Sequence, residues 1–284
     1  MWLWLSVCSA CLLGVYDVAK KQALKRNSVL WILFGATALS ALFLCPFLSA
    51  GPLSDHLKLI LKAFLVSSSW ISGLAALKYI PITTASPIKA TRPMIVVLFS
   101  VILFGERLNL WQWGGVVLVI VALFLLSRSS RDEGIRFSGN KGIALMVVSV
   151  LTGSASALYD KYILQSIEPL FVQSWTNVYI SAVLALCIIA KNAFNPEGRE
   201  KFHWDWTIVL IAVLITLSDC AYFFAVADEN ALLSVISLLR RGSVVITFVL
   251  GAIIFKEHNI RSKAVSLGIL LAGMTLLLFG SSIG

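Results

Sequence analysis

Long apolar stretches separated by short polar breaks dominate the chain. Each stretch contains roughly 20 residues, the length that an α-helix needs to cross the hydrocarbon core of a bilayer. Because lipid offers no hydrogen-bond partner to free backbone amides and carbonyls, we expect these stretches to be helical. The pattern therefore predicts an all-α polytopic membrane protein with ten transmembrane helices, at residues 2–21, 29–49, 59–77, 84–104, 110–127, 142–162, 171–190, 206–226, 231–254 and 263–281.

The longest polar break, SRSSRDEGIRFSGNK, lies almost at the centre of the chain. It divides the sequence into a first five-helix repeat (1–127), a linker loop (128–141) and a second five-helix repeat (142–284). The two halves share a dipeptide at equivalent positions, since Tyr-Asp occurs near the end of span one and again near the end of span six. A repeat with an odd number of spans must enter the membrane in the opposite direction, so we expect two inverted repeats.

The placement of basic residues agrees with this inversion. Four cations follow span one (Lys20, Lys21, Lys25 and Arg26), whereas the equivalent loop after span six holds only Lys161, beside two acids. Loops one, five, seven and nine carry most of the Lys and Arg. The positive-inside rule then predicts a multi-pass protein of a cell (inner) membrane with odd loops in the cytoplasm and both termini outside.

Composition supports the membrane class and narrows the partners. The 284 residues are 59% hydrophobic and 13% charged, with a mean hydropathy of +0.91. The net charge of +9 resides largely in short loops, which is typical of a topology signal rather than of nucleic-acid binding. We therefore expect a small-molecule substrate and membrane lipids as partners, no nucleic acid, and a monomer, with a dimer as the alternative.

Motifs for catalysis, metal binding or nucleotide binding are missing from the sequence. It has no HExxH, GxxxxGK[ST], GxSxG or DxD-type cluster. The five cysteines lie in apolar runs, and Cys8 and Cys11 are interpreted as small buried residues rather than a redox pair. We expect no catalytic residue, no metal and no cofactor, and energy supplied by a gradient or by exchange.

Four basic residues interrupt two of the apolar runs. Lys89 and Arg92 lie in Ser86–Glu106, and Arg240 and Arg241 lie in Ser234–Glu257. A cation near the bilayer centre costs on the order of 2.5–3.5 kcal/mol, so four oppose insertion by roughly 10–14 kcal/mol unless they face counter-charges or water. These residues are the first candidates for substrate binding.

Helical geometry gives each pair of cations a different arrangement. Lys89 and Arg92 are three residues apart and share a face, next to Pro87 and Pro93, which loosen the helix. Arg240 and Arg241 are about 100° apart around a helix, so both cannot point the same way. We expect one to face a central cavity and the other to pair with an acid, with Arg241 slightly favoured for the cavity.

Three acids within or near the spans complete the candidate site. They are Asp17, Asp160 and Asp219. The first two each follow a tyrosine (Tyr16 and Tyr159) and are interpreted either as boundary residues or as ion-pair partners and proton carriers that serve coupling and gating. Three acids set against four cations leave about one positive charge unmatched. Three aromatic residues, which line a cavity or simply pack, are further substrate-binding candidates: Trp70, Trp175 and Tyr222.

Two span-end motifs accompany the repeats, Gly105-Glu106 after span four and Lys256-Glu257 after span nine. With ten spans in two inverted halves, the chain resembles the drug/metabolite transporter superfamily, and the EamA-type repeat in particular. It is similar locally to the triose-phosphate and nucleotide-sugar translocators through Ile88-Lys89-Ala90-Thr91-Arg92-Pro93 and through Arg240-Arg241.

The local resemblance implies that Lys89, Arg240 and Arg241 hold the phosphate of a substrate. Arg92 departs from the translocator pattern, which often has Glu or another non-basic residue there. Familiar members of the superfamily usually keep their termini in the cytoplasm, opposite to the charge count given above.

Taken together, the residues predict a secondary transporter of a small organic anion, phosphorylated or not, that works by alternating access. The alternative is an exporter of amino acids or amphipathic drugs in which the basic residues form structural salt bridges. A membrane-embedded enzyme or a lipid-handling accessory protein would need a nucleophile or metal cluster at one interface, and the sequence shows none. A structural subunit would not need charges at the midplane. Pairing of the four cations with the three acids distinguishes the first two hypotheses.

Overall fold

Apolar helices form the whole framework of the protein. A computed structural model describes residues 2–95, 98–99, 108–131, 133–163, 166–194, 202–226 and 239–283. In chain order the helices are α1 (Trp2–Ala23), α2 (Val29–Leu44), α3 (Leu53–Ala76), α4 (Ile82–Ala90), α5 (Leu110–Arg131), α6 (Lys141–Ile163), α7 (Pro169–Phe194), α8 (Trp206–Val226), α9 (Ser243–Phe255) and α10 (Ile260–Ile283).

Within the described residues, seven helices are long and apolar enough to cross a membrane: α1, α2 with its 3-10 extension to Phe47, α3, α5, α6, α7 and α10. A shorter apolar helix covers Trp206–Tyr222. Large apolar side chains such as Phe64, Phe124 and Ile253 are exposed on the outer surface, where lipid would cover them. The predicted all-helical, multi-pass membrane class is confirmed.

Two predicted spans each contain a turn in the part of the chain that the structure describes. The span predicted at 84–104 contains α4, which ends at Ala90 and is followed by a turn at Thr91. The span predicted at 231–254 contains α9, which begins at Ser243 after a turn at Gly242. Residues 96–97, 100–107 and 227–238, including Glu106, lie outside the described residues.

Side-chain caps explain where several helices begin. Asn109 and Gln112 exchange hydrogen bonds at the start of α5, with Gln112 N donating to Asn109 Oδ1 at 2.9 Å and Asn109 N donating to Gln112 Oε1 at 3.0 Å. Asn140 accepts from Gly142 N before α6, and Asp205 accepts from Thr207 N before α8. Each cap supplies an acceptor to amides that the helix itself leaves free.

Helices of one half pack mainly against helices of the other. The most extensive contacts join α1 with α8, α3 with α6, α2 with α7 and α5 with α10, and α4 also contacts α9. Small residues permit the closest approaches, since a Cβ atom at Gly115 of α5 would lie 2.6 Å from the carbonyl oxygen of Gly273 in α10.

Two of these helix pairs are joined by serines that exchange hydrogen bonds. Ser69 Oγ of α3 donates to Ser149 O of α6 at 2.8 Å, and Ser149 Oγ donates back to Ser69 O at 2.7 Å. Ser9 of α1 and Ser218 of α8 make the same exchange at 2.8 and 3.0 Å. All four serines are buried, so these contacts satisfy hydroxyls that lipid could not.

Candidate functional site

A polar cavity of about 580 Å³ lies between the two halves. Its walls come from α1, α3, α4, α6, α8 and α9, together with the turns that precede α9 and follow α4. Within the described residues, its charged lining consists of Asp17, Lys20, Lys89, Arg92, Asp160, Asp219, Arg240 and Arg241. The cavity thus collects all seven charged residues that the sequence nominated, and adds Lys20.

Asp17 of α1 is the centre of the first charge cluster. Its carboxylate oxygens lie 2.8 and 2.7 Å from Nζ of Lys89 in α4, and Nζ of Lys20 is 3.9 Å away. Lys20 Nζ also lies 4.4 Å from the ring centre of Tyr16 and donates to the Tyr16 hydroxyl at 3.3 Å. Two ammonium groups therefore share one carboxylate.

Asp219 of α8 is the centre of the second cluster. One of its oxygens forms a salt bridge with the Arg240 guanidinium, and the other accepts a hydrogen bond from Gln173 Nε2 at 3.4 Å. The Arg240 guanidinium also lies over the ring of Tyr222, 4.2 Å from its centre. A carboxylate on one edge and an aromatic face together fix the orientation of this arginine.

Arg92 and Arg241 have no carboxylate partner among the described residues. Arg92 donates through Nη2 to Ser69 Oγ at 2.8 Å and to Ser149 O at 3.3 Å. The Nε atoms of both arginines are buried without a hydrogen-bond partner in the part of the chain that the structure describes. Both guanidinium groups are positively charged and line the same cavity, so they repel each other.

Asp160 also lines the cavity and has its own counter-ion. Its Oδ1 is 2.8 Å from Nζ of Lys62 in α3. Tyr159, the neighbouring candidate, does not line the cavity; its ring stacks on that of Tyr162 at 6.0 Å between ring centres. The Tyr-Asp pair of α6 is therefore placed differently from Tyr16 and Asp17, which both line the cavity.

The two tryptophan candidates are also separated. Trp70 lines the cavity, 5.9 Å from Lys20 Nζ. Trp175 does not line it; its Nε1 donates to Ser49 O at 2.9 Å, and its ring contacts those of Phe171, Tyr179 and His56. The structure therefore brings Trp70 and Tyr222, but not Trp175, to the charged groups.

The charge balance of the cavity is more positive than the sequence suggested. Five cations line it, and Asp17 and Asp219 are the acids available to them, because Asp160 is paired with Lys62. The surplus is three positive charges rather than about one. One charge of the difference arises because Lys62 takes up Asp160, and the other arises from Lys20, which the sequence interpretation placed in the loop after span one. That placement was wrong, because α1 continues to Ala23 and leaves Lys20 only 7% exposed.

A second network joins the start of α4 to the ends of neighbouring helices and to the linker; we call it the linker-end network. Glu257 accepts from Ile82 N and Thr83 N at 3.0 Å each and forms a salt bridge with Lys21. Its carboxylate thereby caps the N-terminus of α4. Burial alone would raise the pKa of Glu257, but hydrogen bonds from Lys21 and Thr83 and the charge of Lys21 outweigh it and lower that pKa.

Lys263 extends the linker-end network to the linker itself. Its side chain is fully buried, and Nζ donates to Thr83 Oγ1 at 3.1 Å and to Glu133 Oε2 at 2.7 Å. Contacts among α1, α4, α10 and the linker therefore meet at one end of the bundle. The described residues contain no group of three or more His, Cys, Asp or Glu side chains placed to hold a metal ion.

Comparison with known proteins adds the family. One curated relative, a riboflavin transporter of Rhizobium johnstonii (strain DSM 114642 / LMG 32736 / 3841), is 25% identical over 176 residues. That match covers 62% of this chain and 54% of the relative, so it spans about half of the relative's length.

A structural comparison supports the fold. A protein known from a crystal structure superposes with a TM-score of 0.64 and 14% identity, and the match covers 96% of each chain. The EamA-like transporter family model matches residues 1–128 and 140–279, which is nearly the whole chain. The chain therefore belongs to the EamA-like transporter family and is a multi-pass membrane protein, consistent with the drug/metabolite transporter superfamily.

Proposed function

We propose that this protein is a secondary transporter of a small organic anion, such as a phosphorylated metabolite, and that it works by alternating access. The observation that carries the proposal is the pair Arg92 and Arg241. Both line the cavity without a carboxylate partner among the described residues, and they repel each other. An anion bound between them would relieve that repulsion and satisfy donors that are now free.

The geometry of arginine suits this role. A guanidinium can donate two parallel hydrogen bonds to a carboxylate or a phosphate, whereas an ammonium acts as a point charge. Lys89 and Arg240 are held by Asp17 and Asp219, and we propose that they shape the field around the anion. A doubly charged anion such as a phosphate monoester would offset two of the three surplus charges.

We propose ten membrane-spanning segments in two inverted halves for the architecture. A two-fold axis between the halves would exchange α1–α5 with α6–α10 in order. It would convert the contact between α1 and α8 into a contact between α6 and α3. It would leave the contacts of α2 with α7, α4 with α9 and α5 with α10 unchanged. All of these contacts are present, which supports a two-fold relation between the halves. The basic odd loops favour a cytoplasmic linker end, with both termini outside, and one chain would contain both halves of the transport cycle.

The linker-end network supports alternating access. Lys21, Glu257, Thr83, Lys263 and Glu133 join both halves and the linker at one end of the bundle. We propose that these contacts are present when that end is closed and separate when it opens. The charge balance of the cavity would then be adjusted, as the anion leaves, by Asp17, Asp160 and Asp219.

A neutral or amphipathic aromatic substrate is the second candidate. The relative named as a riboflavin transporter and the cavity positions of Trp70 and Tyr222 favour it. The related hypothesis of an amino-acid or drug exporter requires the cations to be locked in salt bridges. Lys89 and Arg240 meet that requirement, but Arg92 and Arg241 do not among the described residues.

A counterflow assay in proteoliposomes tests the proposal. The panel contains sugar phosphates, nucleotides, carboxylates, amino acids and riboflavin, each offered against a preloaded labelled anion. We expect an anion to exchange, and Arg92→Gln or Arg241→Gln to raise its half-saturation concentration about tenfold or more. The matched control is Arg261→Gln, which removes an exposed cation outside the cavity.

Two results would reject the anion assignment. One is exchange of riboflavin or an amino acid with no exchange of any anion. The other is anion exchange that survives both arginine substitutions, as well as Lys89→Gln and Arg240→Gln, without change.

A further inference from the structure

Gly153 of α6 lies against the guanidinium of Arg92. A Cβ atom at Gly153 would be 2.5 Å from Arg92 Cζ, 2.7 Å from Arg92 Nη2 and 2.8 Å from Ser69 Oγ. Real side chains essentially never approach so closely, so the guanidinium occupies the volume that a side chain at this position would fill.

The remaining walls of this volume are polar and come from both halves. Ser69 of α3 and Ser149 of α6 receive the Nη2 hydrogen bonds described above. Ser154 Oγ donates to the backbone oxygen of Arg92 at 3.3 Å. We call this set, Ser69, Ser149, Gly153 and Ser154, the Arg92 socket. It fixes one edge of the guanidinium and leaves Nε without a partner among the described residues.

Other glycines show why Gly153 is distinctive. A Cβ atom added at Gly14 would lie 2.6 Å from the branched Cβ of Ile246, and one added at Gly115 would lie 2.6 Å from backbone. The lack of a side chain at these two glycines therefore permits two helices to pack closely. The two atoms nearest to Gly153 are instead at the end of the long Arg92 side chain, which can move, and the third is the Ser69 hydroxyl, which can rotate. A methyl group there would displace Arg92 rather than separate the helices.

We infer that Gly153 is a positioning residue of the transport site: by having no side chain, it sets where the Arg92 guanidinium presents its free edge to the anion. The inference deepens the proposed function and rests on it for the identity of the ligand. It also assigns a role to a residue that has no side chain of its own.

The test compares Gly153→Ala with Gly114→Ala and Gly268→Ala, two helical glycines with no atom within 4 Å of an added Cβ. We expect Gly153→Ala to fold with a melting temperature close to that of the wild type. Its half-saturation concentration for the anion should rise about tenfold, the loss of one hydrogen bond from a charged group, with little change in maximal rate. The two control variants should transport like the wild type.

A double-mutant cycle separates positioning from general packing. In an Arg92→Gln background, Gly153→Ala should add no further change, because the group that it displaces is gone. An equal loss in both backgrounds would overturn the inference. If Gly153→Ala fails to fold, the double variant Gly153→Ala with Arg92→Ala is tested for folding. Recovery of folding would show that the added methyl group clashes with Arg92, and continued failure would overturn the inference.

A chemical readout needs no substrate and so remains valid if the proposed function fails. Phenylglyoxal modifies free guanidinium groups, and mass spectrometry follows Arg92 with Arg241 as an internal reference. We expect Gly153→Ala to increase the modification rate of Arg92 relative to Arg241 several-fold in the full-length protein. An unchanged ratio would show that the added methyl group does not move Arg92 and would overturn the inference, whatever the transport assay gives.

Discussion

The carboxylate of Asp17 holds the ammonium of Lys89 with both oxygens, at 2.8 and 2.7 Å. The contact joins α1 to α4, two helices of the first half, and it lies on the wall of the cavity. Asp17 also balances Lys20 at 3.9 Å. One carboxylate therefore makes two cations tolerable in an apolar bundle.

Asp17→Asn should destabilise the protein, because it leaves Lys89 and Lys20 without a counter-charge. Loss of one partner of a fully buried pair costs about 3–5 kcal/mol. The Lys89 side chain is 36% exposed to the cavity, so we expect a smaller loss of about 2 kcal/mol. Thermal unfolding in detergent measures it. Adding Lys89→Met should recover part of the loss, and no recovery would argue against the pairing.

The linker-end network should weaken in acid. The pKa of folded Glu257 lies below its ordinary value of 4.5, so its stabilisation is complete above that value and is lost as pH falls through the folded pKa. Melting temperatures measured between neutral pH and pH 3 should therefore fall less steeply for Glu257→Gln than for the wild type. Melting temperatures that fall equally with pH in the two proteins would contradict the stabilising role of the Glu257 carboxylate.

Lys263 and Glu133 should show strong coupling. Lys263 is fully buried, so Lys263→Met leaves the Glu133 carboxylate unpaired and should cost about 3 kcal/mol. Lys263→Met combined with Glu133→Gln should cost clearly less than the sum of the two single changes. Chemical or thermal unfolding gives the stability of the wild type, the two single variants and the double variant. Additive losses of stability would rule out the Lys263–Glu133 pair as a source of stability.

Gly115 and Gly114 offer a matched pair of adjacent positions in α5. Gly115→Ala would place Cβ 2.6 Å from the backbone of α10, and such overpacking costs about 1–3 kcal/mol. Gly114→Ala meets nothing within 4 Å and should leave stability unchanged or raise it by up to about 1 kcal/mol. Equal melting temperatures for the two variants would contradict the close approach of α5 and α10.

The sequence predicted the class of the protein well, because apolar length and charge placement are local properties. It also nominated the charged groups of the cavity, since a cation in an apolar run is conspicuous. It misplaced Lys20, which follows the last apolar residues of span one and is adjacent to Lys21. The spacings to Tyr16 and Asp17, four and three residues, are the signals that could have placed Lys20 on the cavity face.

Contacts between distant residues were harder to predict. Glu257 ends its apolar run as a boundary acid would, and nothing local indicates that it caps α4, 175 residues earlier in the chain. Trp175 and Trp70 look alike in hydropathy, yet only Trp70 faces the cavity. Gly153 gives no sequence signal at all, because its role depends on where Arg92 reaches in three dimensions.

The exchanged bonds between Ser69 and Ser149, and between Ser9 and Ser218, have a mechanical consequence. Each pair contacts at a single height along its two helices. A slide by one residue, about 1.5 Å along the helix axis, would break both bonds of a pair. A tilt about that height would break neither. As far as these hydroxyls are concerned, α3 on α6 and α1 on α8 are fixed against sliding but free to change their crossing angle.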